Sequence, residues 1–159
     1  MTAIVLLNEL KAFCEANTAD LLLPVNVKMG DPAEFRAPRV YLMRVPYKSG
    51  ESDEQQVPLI LLRFETGLDE QERGENTCVV RLIAAAYSED EEEGALHVLN
   101  ILTRLRVALM KQPVIGGQFT RVNKLEYLVY PDSKPPFYFG EMMTEFRLPE
   151  IRAEVRFDI

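Results

Sequence analysis

The stretch from Thr77 to Pro113 constrains the fold more than any other part of the chain: TCVVRLIAAAYS, then EDEEEG, then ALHVLNILTRLRVALMKQP. Ten of the twelve residues from Thr77 to Ser88 are apolar or β-branched. That predicts a strand covered on both faces, or on one face with an interface on the other. Glu89, Asp90, Glu91, Glu92 and Glu93 then put negative charge at a helix start, where unpaired N–H groups and the helix dipole favour it. Beyond them Val98, Leu99, Ile101, Leu102, Leu105 and Leu109 recur at three- and four-residue spacing, the stripe of an amphipathic helix. Arg104, Arg106 and Lys111 gather towards its C-terminal end, and Pro113 stops it.

The flanking sequence supplies a second helix and more strands. Thr2 can cap a helix whose apolar stripe is Ile4, Leu7, Leu10, Phe13 and Cys14, ending near Asn17. Arg39 to Val45 reads as a strand with Val40 and Leu42 on one side and Tyr41 and Met43 on the other. Tyr47 to Gln56 has no apolar period and reads as a mobile loop. Pro58 to Thr66 is a second apolar strand. The polar connection GLDEQERGEN, residues 67–76, makes it and the Thr77 strand an antiparallel hairpin, since a parallel pair needs a longer crossover. That connection reads as a second mobile loop. After Gly116-Gly117, Phe119 to Val129 alternates partially as a further strand. Pro131, Pro135 and Pro136 then make YPDSKPPFYFGEMM a loop, with Tyr130, Phe137, Tyr138 and Phe139 forming either a lid over the core or an exposed docking surface. Met143 to Phe157 alternates again, interrupted at Pro149. The expectation is a single α+β domain over residues 1–159: a mixed, mainly antiparallel sheet with two main helices packed on it.

Composition narrows the function classes. The chain has 159 residues, is 47% hydrophobic and 27% charged, and carries a net charge of -7, which disfavours a general polyphosphate-binding surface and sequence-specific nucleic-acid binding. Cys14 and Cys78 read as small core residues in a reducing cytoplasm. No signal-peptide pattern and no apolar run of about 18 residues is present, so secretion and membrane spanning are disfavoured. His97, the single histidine, has no second histidine or cysteine at ligand spacing. The carboxylate run lacks the alternating oxygens and central glycine of a calcium loop. Gly116-Gly117 precedes a strand and not a helix, so it makes no phosphate cradle. No catalytic, cofactor-binding or metal site is therefore expected. Candidate interface residues are Asp53, Glu54, Asp69, Glu70, Glu91, Glu92, Tyr130, Phe137, Tyr138 and Phe139.

The segments PLILLRFETG, VVRLIAAAYSEDEEEGALHVLNILTRLRVAL and PPFYFGEMMTEFRLPEI, in this order and spacing, resemble the tail terminator family of bacteriophages and prophages, the small neck and tail-completion proteins. The likeness covers residues 38–154. It implies a mixed sheet flanked by helices, and a homo-oligomeric ring, usually a hexamer. Such a ring stops tail-tube polymerisation and docks the head through a head-closure or connector protein. It implies assembly in the bacterial host cytoplasm, a place in the virion tail or a tail-like particle, and DNA passing through an acidic lumen. The alternative class is a small-ligand-binding or enzymatic α+β domain, which predicts a concave pocket with convergent polar groups.

Overall fold

A computed structural model describes residues 2–46 and 56–151. Helix α1 (Ala3–Thr18) leads into β1 (Leu23–Pro24), β2 (Phe35–Arg36) and β3 (Arg39–Leu42). The hairpin β4 (Leu59–Glu70) and β5 (Glu75–Tyr87) follows, then α2 (Glu91–Lys111), β6 (Val114–Ile115), β7 (Phe119–Val129) and β8 (Phe137–Arg147). Six strands form one sheet in the order β3-β4-β5-β8-β7-β6, while β1 and β2 pair separately. Among the described residues, only β3 against β4 is parallel. This is the expected α+β class, with two helices on a mixed, mostly antiparallel sheet.

The Thr77 strand sits in the middle of that sheet, between β4 and β8. Its even-numbered side chains Val80, Leu82, Ala84 and Ala86 turn towards the helices, with Ile60 and Leu62 of β4 and Tyr138, Met142 and Phe146 of β8. Leu6, Leu7, Leu10 and Cys14 of α1 and Val98, Ile101, Leu102, Leu105 and Leu109 of α2 close the core from above. Burying a side chain of this kind contributes about 1.5–3 kcal/mol. The opposite face of the sheet has a smaller cluster: Val57, Leu59, Leu61 and Ala85, with Tyr41, Ile83, Tyr87 and Phe137 against it.

Helix α2 begins as its sequence dictates. Asp90 is the cap, its Oδ1 accepting from the N–H groups of Glu92 and Glu93 at 2.9 and 3.1 Å. The acidic run is thus partly consumed by the helix start, and Ser88 Oγ accepts from Asp90 N–H to set the entry. Two glycines then bring the helix close to β8. A Cβ on Gly94 would lie 2.2 Å from the Tyr138 ring, and one on Gly140 would lie 2.7 Å from Val98 Cγ1 and 2.8 Å from the Leu128 carbonyl. Neither position has room for a side chain.

Several elements depart from the sequence expectations. In α1, Ile4 is 68% exposed while Leu6 is buried, so the buried stripe is rotated to Leu6, Leu7, Leu10 and Cys14. Thr2 offers no side-chain cap; its carbonyl accepts from Val5 and Leu6 N–H instead. In α2, Leu99 faces outward. The first expected strand stops at Leu42 because Met43 takes a left-handed φ of 67°.

The connection at residues 67–76 is mostly strand: β4 and β5 stay paired out to Glu70 opposite Glu75, and only a short 3-10 turn over Gln71–Arg73 joins them. Main-chain pairing extends the ladder there without apolar side chains to announce it. Gln56, at the end of the expected loop 47–56, is buried, and its amide donates to the Pro46 carbonyl at 3.1 Å; residues 47–55 lie outside the described ones. Phe137, Tyr138 and Phe139 belong to β8 and not to the proline loop, since the strand starts directly after Pro136. The strand expected from Met143 runs over Phe137–Arg147 and ends before Pro149; its expected continuation over 152–157 lies outside the described residues.

Candidate functional site

Half of the sheet face turned away from the helices is polar, as expected where one face of an antiparallel sheet meets water. At its centre stands Arg81, the only charged residue in the Thr77–Ser88 run. Its Nε donates to Glu65 Oε1 at 2.7 Å and its Nη1 to Glu141 Oε2. Burial works against the guanidinium charge, but the bonds to Glu65 and Glu141 outweigh it and hold the arginine pKa above its ordinary value. The Tyr130 phenol faces the same group; burial and then the Glu141 charge push it up. Next to this cluster lies a shallow open depression of about 570 Å³, lined by Arg81, Leu125, Glu126, Tyr127, Leu128, Glu141 and Met143. Every charge lining it is already paired, so the depression aims no unpaired charge at a ligand.

A second, smaller cleft of about 300 Å³ separates the first turns of α2 from the proline loop. Glu91, Tyr130 and Tyr138 line it with Val129, Pro131 and Ser133. Its outer wall is built by Ser133 Oγ, which donates to the Tyr130 carbonyl and accepts from Phe139 N–H. His97 lies on the same helix with a buried Nε2 that has no hydrogen-bond partner.

The third feature is an edge. On the side of β7 away from β8, β6 pairs with it only at Thr120 and Phe119, and among the described residues no other strand runs along that side. A bulge interrupts β7 between Val122 and Glu126, where Asn123 takes φ 59°. Beyond the bulge the edge is regular, with Tyr127 42% exposed and Leu128 48% exposed on its two faces. Lys124 Nζ reaches Glu126 Oε1 at 2.8 Å beside them.

The candidate interface residues divide into separate places. Asp69 is exposed near the hairpin tip, where Glu70 pairs with Arg73 at 3.8 Å. Glu91 and Glu92 are exposed in the first turn of α2, and Tyr130 lines the same cleft as Glu91. Phe139 is exposed, and Phe137 packs against Tyr87 with ring centroids 5.8 Å apart. Tyr138 is no surface residue: it is only 6% exposed, seated on Gly94. Asp53 and Glu54 lie outside the described residues.

The sequence reading missed Arg81, Glu141, Glu126, Tyr127 and Leu128. One signal was available for the first, a lone charge within an apolar strand, which needs a partner on each neighbouring strand. The free edge had none, because which strand ends a sheet is decided by topology.

No helix among the described residues is long and apolar enough to cross a membrane, and no group of three His, Cys, Asp or Glu among them could hold a metal ion. Compared with known proteins, the chain matches no family model and no curated protein.

Proposed function

We propose that this chain is a structural assembly protein of the tail terminator kind, acting as a ring of identical copies that caps a tail tube and receives the filled head. One observation carries the reading: the regular, unpaired β7 edge with Tyr127 and Leu128 exposed beside it. Unpaired strand edges are templates for pairing with another chain, and proteins that keep one exposed ordinarily cover it. Two further features support the reading. The architecture, a mixed sheet with helices, is what the resemblance implies, and the open sheet face holds its charges in pairs rather than aiming them at a ligand. The net charge of -7 suits a ring whose lumen repels DNA phosphates and lets the genome slide. Glu91, Glu92 and Glu93, exposed on α2, are the residues of the acidic run left free to face it.

The reading is tested by adding the purified chain to polymerising tail-tube subunits and measuring tube length and tip appearance by electron microscopy. Rings at tube tips and shorter tubes are expected. A chain that forms no ring, binds no tip and leaves tube length unchanged refutes the reading.

A further inference from the structure

Helix α2 is apolar on two sides. Towards the sheet it buries Val98, Ile101, Leu102, Leu105 and Leu109. The opposite side of such a helix ordinarily carries polar and charged residues, yet here it presents Leu96, Leu99, Val107 and Met110, between 39% and 56% exposed, with the exposed Thr103 among them. Leu96 and Met110 stand seven residues either side of Thr103, and Leu99 and Val107 four. Steps of four and seven residues come close to whole helical turns, so the five side chains share one face along about 21 Å of helix. A single exposed leucine needs no explanation, but a continuous apolar row marks a surface that meets something.

The row reads the same from either end. A second copy of α2 laid antiparallel on the first, with the two Thr103 residues facing each other, sets Leu96 against the partner's Met110 and Leu99 against the partner's Val107, and the short threonine at the centre lets the two helices come close. Charge follows the same symmetry. The glutamates lie in the first turn of α2 and Arg104, Arg106 and Lys111 towards its end. The antiparallel overlay brings Glu93 and the partner's Lys111, both from exposed positions, onto one flank within a helical turn, and repeats that pair at the other end. A parallel overlay would set like charges together, and flanking charges of this kind fix the orientation of paired helices.

We infer that the outer face of α2 docks a second copy of this chain, antiparallel, about a two-fold axis at Thr103. Such a contact uses the same patch on both copies and closes at two. It involves neither the β7 edge nor the ring, and it stands or falls apart from both.

Sedimentation velocity over a range of concentrations tests it. Wild type is expected to dimerise. Leu99→Lys places a cation against the partner's Val107 and beside the partner's Arg106, and should weaken the dimer at least tenfold with the melting temperature in dilute solution unchanged. Glu93→Lys and Lys111→Glu should each weaken it about threefold or more, and the two together in one chain should restore it; a parallel pair would show neither effect. Both native thiols are buried, so Thr103→Cys supplies the one exposed thiol. Under a mild oxidant its copies should cross-link at least tenfold faster than those of Asn100→Cys, an exposed position whose two copies would stand about 9 Å apart along the helices. Tyr127→Pro should keep the dimer. Tyr130 N–H bonds inward to the Phe139 carbonyl, and main-chain direction alternates along a strand, so the Tyr127 N–H points out of the sheet, where an edge strand tolerates proline. A wild type that is monomeric at every concentration, a Leu99→Lys that dimerises like wild type, or Thr103→Cys cross-linking no faster than Asn100→Cys overturns the pairing. A dimer lost in Tyr127→Pro with its melt intact assigns the contact to the sheet edge and overturns it equally. Binding of a tube subunit to the Leu96–Met110 row of a monomeric wild type would give that face a different occupant.

Discussion

The close seat of α2 on β8 yields the sharpest stability prediction, at Gly94→Ala. In an open helix this substitution is favourable by about 1 kcal/mol, because alanine loses less backbone freedom. Here the added Cβ would lie 2.2 Å from both Cδ2 and Cε2 of Tyr138 and 2.7 Å from its Cζ, whereas carbon atoms rest about 3.5–4.0 Å apart. The ring cannot step aside. Tyr138 is 6% exposed and its backbone is held in the ladder opposite Ala86. Overpacking a filled core costs about 1–3 kcal/mol, and an overlap of more than an ångström on a rigid ring belongs at the top of that range. Set against the helix gain, the net loss is about 2 kcal/mol, or a fall of ~4–8 °C in melting temperature for a domain of this length.

Urea denaturation followed by circular dichroism measures the loss, and a second background isolates its cause. Tyr138→Val removes the ring atoms that Gly94 would meet. In that background Gly94→Ala should reverse sign and stabilise by about 1 kcal/mol, because only the helix term remains. The coupling energy between the two sites is then about 3 kcal/mol, within the range for residues in direct contact. Gly94→Ala stabilising the otherwise wild-type chain, or costing the same in both backgrounds, would refute the reasoning.

Two further outcomes follow from the structure. Asp90→Ala removes the acceptor for Glu92 and Glu93 N–H and should cost about 0.5–2 kcal/mol, with Asp90→Asn retaining most of it; thermal melts of the two variants check this. Burial first, and then the Glu15 charge, pushes the Cys14 thiol from 9.0 to about 12, and burial followed by the Glu145 charge takes Cys78 from 9.0 to about 11. Each thiol is thus held protonated in the folded state above the pH at which the unfolded chain releases its proton. The stabilisation is complete below pH 9.0 and is lost as pH rises through the folded values. At about pH 10 the loss is about 1.4 kcal/mol per thiol. Denaturant midpoints at pH 8 and pH 10 should therefore differ more in wild type than in Cys14→Ala, and an equal difference would count against it.

How much of this was readable in the sequence depends on where each signal resides. Helix α2 was legible because its signals are local: Asp90 and the glutamates at the start, six apolar positions at helical spacing, Pro113 at the end. Strand β7 was legible in its bounds, Phe119 to Val129. The rotation of the α1 stripe was not, because Ile4 and Leu6 are equally apolar and only the partner surface decides which is buried. The extended hairpin tip was hidden for the opposite reason, since Gly67 to Glu70 and Glu75 to Asn76 are held by main-chain bonds that any residue can make. Phe137 to Phe139 sit so close to Pro135 and Pro136 that loop and strand chemistry overlap. Gly94 carried a local meaning, a weak helix position, opposite to its tertiary one.

The same glycines connect the stability of the fold to the surface it leaves open. With Gly94 against Tyr138 and Gly140 against Val98 and Leu102, α2 lies low over β8 and β5. A helix centred there covers Met142 and Phe146 fully and reaches the first half of β7 through Phe119, but leaves Tyr127 on the same face 42% exposed. The exposure of the Tyr127 ring beside the edge is therefore a consequence of where the helix is seated. A bulkier residue at 94 or 140 would lift the helix without altering the edge's own main-chain groups. Substitutions at the seat should accordingly lower the melting temperature, while Tyr127→Pro should abolish ring formation and leave the melt in place. Loss of ring formation together with loss of the melt in Tyr127→Pro would mean that the edge is held by the core and is not available to a partner.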